Sequence, residues 1–577
     1  MKSAYLVLLS CTFCISSLSA QTFTHADTLR GSITPERAWW NLLHYKIFVA
    51  PDISQKSITG SVGIRFKVVR KQKRMQIDLQ APLQIDSAFL ANGSKITALT
   101  YTRDGNAFLL NIPTALAVGS SQTVIVYYHG IPREAARAPW DGGLSWKKDA
   151  KGNPFVSTSC QGLGASVWWP CKDHQYDEPE LGTIISVKVP DTLTNVSNGK
   201  LKEVITNNDA TKTWVWEVKN PINNYSISMN IAKYELITDT YQGEKGILPL
   251  HYYVLAYNKD SAIKQFAQVK TMLQCFENWF GAYPFYEDGF KMVEVPYLGM
   301  EHQSNVAYGN KYKNGYLGRD LSGSGWGMKW DYIIIHESGH EWFGNNITSK
   351  DIADMWIHEG FTTYSETIYT ECQSGRQAAD EYNYGLRKNI QNKDPIIGLY
   401  NVQNQGSGDM YFKGSAMIHS IRNAMNNDQQ FKKMLRELNR YFYHGIATTE
   451  TLQKQMEKYT RFSLKHIFTQ YLRTTQVPVL AYYFSADGKK LFYQYSNCVN
   501  GFDLKLILPS PLHLTPSTST LPPSTLNPLP LRLHPKANTW QSVPVTGTAF
   551  NQAMLLELEK RYYIKLMEKK EGAVKNN

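Results

Sequence analysis

The chain has 577 residues, enough for three or four domains at roughly 150 residues each. Hydrophobic residues make up 42% and charged residues 19%, a composition that builds sizeable cores and excludes a disordered chain. The net charge of +12, from 61 basic and 49 acidic residues, would by itself permit a nucleic-acid or membrane-surface partner. The charges are scattered, however. The one dense run, Arg65, Lys67, Arg70, Lys71, Lys73 and Arg74, sits between two strand-like segments and reads as a solvated hairpin tip, so no nucleic-acid partner is expected.

At the start of the chain Lys2 gives a positive end, Ala4 to Ile15 an apolar stretch, and Ser17-Leu18-Ser19-Ala20 a small-residue cleavage site before Gln21. Residues 1–20 thus read as a signal peptide, and the mature protein is expected to be exported, periplasmic or secreted. A lipid anchor at Cys11 is the weaker alternative, because it leaves a very short apolar region. No other segment reaches transmembrane length. Beyond the leader the cysteines are Cys160, Cys171, Cys275, Cys372 and Cys498. The number is odd, so at least one thiol stays free or pairs outside the chain, and Cys160 and Cys171 are near enough in sequence to bridge in an oxidising compartment.

From about Arg37 to Leu236 the texture is β, with segments such as Tyr45–Val49, Ile64–Val68 and Val124–Tyr128 punctuated by Asn, Asp, Gly and Pro; an antiparallel sheet domain over residues 21–236 is expected. From about Asp260 it turns helical: Ile263 to Phe280 carries apolar residues at helical spacing, and long helices recur through Leu472, which gives a second domain over 237–475. Residues 476–577 return to strands, as in Leu480–Phe484 and Leu491–Tyr495. Within them Pro509–Pro535 is too rich in proline for a core strand and reads as an exposed extended loop. Gly323, Gly325 and Gly327 lack the context of a phosphate loop and read as a flexible connector.

The informative segment is His336-Glu337-Ser338-Gly339-His340. On a helix the two histidines stand one turn apart on one face and can reach a single metal ion, with Glu337 beside a water on that ion. Two neutral nitrogens hold Zn²⁺ without cancelling its charge, and the carboxylate takes the proton as the water attacks a carbonyl. The HExxH string alone is only moderately specific. A third ligand is offered by Glu359, nineteen positions after His340 on a second helical stretch that opens at Trp356. The metzincin pattern fails, since it needs Gly and His where this chain has Phe343 and Asn346. Glu366 lies two turns beyond Glu359 on the same face, placed to orient a ligand histidine. His358 adjoins Glu359 and is the alternative third ligand, but the two point about a hundred degrees apart on the same helix, so only one of them can join the set.

At these residues the sequence resembles the zinc aminopeptidases of the M1 type, within the thermolysin-like gluzincins. HExxH followed after eighteen residues by Glu is their pattern. Tyr297-Leu298-Gly299-Met300-Glu301-His302 resembles their G-A-M-E-N motif, with Leu298 for the first Gly, Gly299 for Ala and His302 for Asn. Met410-Tyr411-Phe412-Lys413-Gly414-Ser415-Ala416 matches the context of their catalytic tyrosine, and Ser159-Cys160-Gln161 looks like the element that lends a Gln or Glu to the amine site. The likeness runs from about residue 38 to 475. It implies one Zn²⁺ per chain on His336, His340 and Glu359, Glu337 as general base, and Tyr411 as oxyanion donor. It further implies Glu301 with Gln161 at the substrate's free α-ammonium, and Gly299, Met300 and His302 along the bound peptide.

The fold implied is multidomain α+β: an N-terminal antiparallel β saddle domain, a thermolysin-like α+β catalytic domain and a small C-terminal β-rich region. The implied activity is removal of N-terminal residues from peptides, with no oligomer required. About a hundred β-patterned residues stand where the family has a large helical C-terminal domain, so a more open cleft that admits longer peptides is expected. The rival readings are a gluzincin hydrolase with another main substrate (endopeptidase or epoxide hydrolase) and a catalytically silent relative that keeps the fold as a binding module.

Overall fold

The computed structural model describes residues 22–508, 531–545 and 552–570. The leader and most of the proline-rich segment (509–530) lie outside the described residues.

The N-terminal part is sheet. Eight strands pair in the order Lys200–Thr206, Thr211–Val218, Thr183–Pro190, Trp40–Asp52, Ser57–Val68, Ser121–Gly130, Gln84–Asn92 and Lys95–Leu99. Alternation dictates the faces: Tyr45, Ile47 and Val49 are buried while Lys46 and Phe48 face out. The sheet is not wholly antiparallel. Trp40–Asp52 runs parallel to Thr183–Pro190, because the chain crosses to a second sheet between them. That four-stranded sheet (Thr194–Val196, Asn230–Ala232, Pro154–Ser159, Gly143–Lys148) ends its Pro154–Ser159 strand just before Gln161.

The central part is α+β. A five-stranded sheet is ordered Tyr234–Gly243, Gly246–Leu255, Phe290–Glu294, Val306–Tyr308 and Gly299–Met300, with the last at its edge. Against it pack the helices Gln268–Phe280 and Tyr332–Gly339; Trp356–Ser374 packs on both of these, and Arg376–Leu386 and Phe412–Met425 pack on Trp356–Ser374. The apolar run expected as one helix from Ile263 to Phe280 is two, Lys259–Phe266 and Gln268–Phe280, with a break at Ala267.

The C-terminal part is a four-stranded sheet (Gln541–Pro544, Lys490–Ser496, Val479–Phe484, Lys565–Glu568) and a helix, Gln552–Arg561. It shares one hydrophobic core with the central part: Leu480, Leu555 and Tyr562 belong to the same buried cluster as Ile334, Trp356 and Met417.

Three local expectations are corrected. The basic run Arg65–Arg74 is solvated as expected, but it is not a hairpin tip. The strand Ser57–Val68 pairs with Trp40–Asp52 and Ser121–Gly130, whereas Arg74–Asp78 pairs with Ala107–Asn111 in another sheet. The end of the proline-rich segment, Leu531–Leu533, is a strand paired with Leu506–Leu508 rather than free loop. Cys160 and Cys171 do not bridge: both are free thiols buried in the core of the N-terminal part. The disulfide joins Cys275 to Cys372 across 97 positions, tying Gln268–Phe280 to the end of Trp356–Ser374.

Alkylation under denaturing, non-reducing conditions is therefore expected to label Cys160, Cys171 and Cys498 and to leave Cys275 and Cys372 linked in a peptide map. Replacing both bridged cysteines by serine is expected to cost about 2–4 kcal/mol in chemical unfolding, as for a native disulfide closing a long loop.

Candidate active site

The helix Tyr332–Gly339 is capped by Asp331, whose carboxylate accepts the N–H of Ile333 at 3.0 Å and of Ile334 at 3.3 Å. Ile333, Ile334 and Ile335 are all buried, so this is a core element that carries His336 and Glu337 inward. His340 follows its last residue with φ −63° and ψ −20°. The helical spacing is thus kept, and the two imidazoles lie with ring centroids 5.0 Å apart.

Glu359 comes from the helix Trp356–Ser374, which is buried from Trp356 through Thr370. Its Oε2 lies 3.6 Å from His336 Nε2 and 3.4 Å from His340 Nε2, and no hydrogen bond satisfies it. An unsatisfied buried carboxylate oxygen facing two imidazole nitrogens fits a cation. A tetrahedral zinc with bonds of about 2.0–2.1 Å sets its donors roughly 3.3 Å apart, close to these separations. The other ring nitrogens are occupied. His336 Nδ1 meets Glu366 Oε1 at 2.7 Å, Glu366 Oε2 accepts the Tyr382 hydroxyl at 2.6 Å, and His340 Nδ1 meets the Phe343 carbonyl at 3.0 Å. Such partners hold both rings with Nε2 turned to the metal position. His358 is not in the set: its Nε2 accepts the Ser349 N–H at 2.8 Å, and burial pushes its pKa down to about 3.

These residues line a cavity of about 800 Å³ together with Glu337, Glu301, Gln161, Gly299, Met300 and Tyr411. Gln161 donates from Nε2 to Glu301 Oε1 at 2.6 Å and to Glu359 Oε1 at 2.9 Å, so one amide joins two carboxylates. Gly299 lies in the edge strand where a Cβ would come 2.8 Å from Ile333 and 3.1 Å from Glu337 Oε1; the strand approaches the helix this closely because the residue has none. Tyr411 stacks near His336, with ring centroids 6.1 Å apart. Its helix crosses that of Glu359 at two glycines, a Cβ on Gly414 reaching 3.1 Å from Gly360 Cα. His302 is the exception among the expected site residues. It is fully buried, does not line the cavity, and neither ring nitrogen has a partner.

The electrostatics are lopsided. Glu301, Glu337, Glu359 and Glu366, all buried, surround two imidazoles. Burial pushes Glu337 up to about 7 and raises Glu301. Burial alone would lower His336, yet Glu359 and Glu366 raise it well above its ordinary value. Burial works against the charged form of Glu359 too, but His340 and His336 hold it below the usual carboxylate range. The site is short of positive charge, and a divalent cation supplies it.

Sequence reasoning missed several contributors. The Tyr225 hydroxyl donates to Glu301 Oε1 at 3.1 Å, and Trp140, Asn389, Gln403 and Gln405 line the cavity. They come from loops or distant segments and carry no local pattern. Tyr332 alone had a signal: it sits one turn before His336, and its hydroxyl lies 3.3 Å from that residue's Nδ1.

Comparison with known proteins agrees with this geometry. The Peptidase M1 N-terminal domain model matches residues 41–226 and the Peptidase family M1 domain model matches 265–471. Leucine aminopeptidase 2 of Vanderwaltozyma polyspora is 24% identical over 373 residues, covering 64% of this chain and 50% of that protein. Leukotriene A-4 hydrolase of Xenopus laevis is 22% identical over 460 residues, covering 74% and 69%. The chain spans about half the length of the first curated relatives it matches. An M1 zinc metallopeptidase from Deinococcus radiodurans, solved as a mutant bound to Tyr-Ser-Ala, shares the fold with a TM-score of 0.62 at 18% identity, covering 76% of this chain and 95% of that one. With two models of one family matching roughly two thirds of its residues in the order that family requires, the chain belongs to peptidase family M1.

Proposed function

We propose that this chain is an exported zinc aminopeptidase that hydrolyses the first peptide bond of peptides with a free N-terminus. The observation that carries the reading is the Gln161 amide, which joins Glu301 to Glu359 and so sets an amine anchor one side chain away from the metal set. Aminopeptidase relatives and a neighbour solved with a tripeptide support it.

His336, His340 and Glu359 would hold the zinc, which when bound polarises the scissile carbonyl and activates water. Glu301, buried and negative, favours a substrate that brings its own ammonium to that spot over an internal peptide segment. Gly299–Met300 is an edge strand with unpaired backbone groups, available to an extended peptide backbone. Glu337 takes a proton from the attacking water and returns it to the leaving amine. The Tyr411 hydroxyl donates to the oxygen on which charge develops. The Cys275–Cys372 bridge, of a kind that persists in oxidising compartments, supports export. Among the described residues no helix is long and apolar enough to cross a membrane.

A panel of aminoacyl chromogenic amides, assayed with and without a zinc chelator beside N-acetylated versions, tests the reading. Chelator-sensitive cleavage of only the free-amine set is expected. Equal cleavage of both sets would make the cleft an endopeptidase, and no cleavage with zinc bound would point to a silent relative or another substrate. Glu337→Gln is expected to lower kcat by about 10²–10⁴-fold while the protein keeps its zinc in metal analysis. Glu366→Gln, which weakens the hold on His336, is expected to reduce zinc affinity by about 10–100-fold in competition with a chelating dye.

A further inference from the structure

The turn that delivers Tyr411 is not self-supporting. Tyr411 stands between a short 3-10 turn, Gly408–Met410, and the helix Phe412–Met425. Asp409 in that turn is buried, and its carboxylate accepts the backbone N–H of Gln391 at 2.8 Å and of Asn392 at 2.6 Å. Asn392, at φ 51°, donates from Nδ2 to the Tyr563 hydroxyl at 2.8 Å. Tyr563 belongs to the C-terminal part, outside the matched family regions.

Tyr563 is itself pinned. Its N–H donates to Ser420 Oγ at 2.9 Å and its carbonyl accepts the Tyr471 hydroxyl at 2.8 Å. Five residues before Asn392, the Arg387 guanidinium donates to the carbonyls of Tyr562 at 2.7 Å and Lys560 at 3.0 Å, satisfying the end of the helix Gln552–Arg561. Between these two ties lies Asn389, which lines the cavity.

We propose that Asp409 and Tyr563 are positioning residues for Tyr411: through Asn392, the C-terminal part fixes the carboxylate that sets where the Tyr411 hydroxyl enters the cavity. The inference rests on Tyr411 acting as the oxyanion donor. Such a donor works only when already aimed at the place where charge develops, and a misplacement on the order of 1 Å costs up to about 10²-fold in rate. Substrate binding, by contrast, runs through Glu301 and Gln161, which the tie does not touch.

The test is a double-mutant cycle on the full-length zinc enzyme. Tyr563→Phe removes one hydroxyl and is expected to lower kcat about 10-fold, with KM and zinc content unchanged. Tyr411→Phe is expected to lower kcat by about 10²–10³-fold. In that background Tyr563→Phe is expected to cost nothing further, because the group it positions has gone. Asp409→Asn should repeat the pattern. Tyr495→Phe, which removes a buried hydroxyl bonded to the Leu504 carbonyl at 2.8 Å in the same C-terminal part, should leave kcat unchanged. An equal loss from Tyr563→Phe in both backgrounds, no loss in either, or an equal loss from Tyr495→Phe overturns the proposal. Full activity of Tyr411→Phe would instead remove the reading of Tyr411 itself, a result the cycle distinguishes.

Discussion

The Glu359 carboxylate, buried between two imidazoles with one oxygen unsatisfied, is the constraint on which the rest of the structure depends. A charge removed from water must be matched or it neutralises, and this one is matched by two imidazoles carried on one helix and an amide from a sheet loop. Each has to arrive within about an ångström, so the elements must approach more closely than ordinary side chains allow. The glycines do this: Gly360 meets Gly414 where the ligand helix crosses that of Tyr411, and Gly299 lets the edge strand lie against Ile333 and Glu337. Close packing then makes the site rigid, since helices in contact at backbone level have little room to slide.

What the sequence made legible follows from that local geometry. His336, Glu337 and His340 are related by helical period alone, and Glu359 and Glu366 by two turns of another helix, so spacing suggested each group, while the preference for Glu359 over His358 came from the resemblance. The pairing of Gln161 with Glu301 was legible only through resemblance, because they are 140 positions apart and meet only when the sheet part folds onto the central part. Tyr225 and Tyr382 left no trace: each is one tyrosine among 35, and its partner is chosen by tertiary packing. His302 shows the opposite failure, a motif position whose side chain is buried away from the cavity.

The fold was legible to a similar depth. Strand alternation and helical period placed the sheet-rich and helix-rich stretches, because each has one buried face. They did not place the parallel pairing of Trp40–Asp52 with Thr183–Pro190 or the destination of Arg74–Asp78, which depend on how the chain crosses between sheets. The disulfide pairing was not legible for the same reason. Nearness in sequence is a poor guide to pairing where both cysteines are buried in a β core, whereas Cys275 within one helix meets Cys372 near the end of another packed on it.

Gln161 shows how the site balances anchoring against charge. A carboxylate in its place would attract a substrate ammonium more strongly, yet it would add a fifth buried acid beside Glu301 and Glu359 and repel both. An amide nitrogen carries two hydrogens, and here one oxygen of each carboxylate lies within hydrogen-bond reach of it. It thereby ties Glu301 to Glu359 at a fixed distance, and under the proposed function that distance would decide which bond of a peptide is presented. The neutral residue gives up Coulomb attraction and gains a fixed separation. In the proposed aminopeptidase, with Glu301 supplying the charge, that separation is the quantity that would make the cut fall at the first bond.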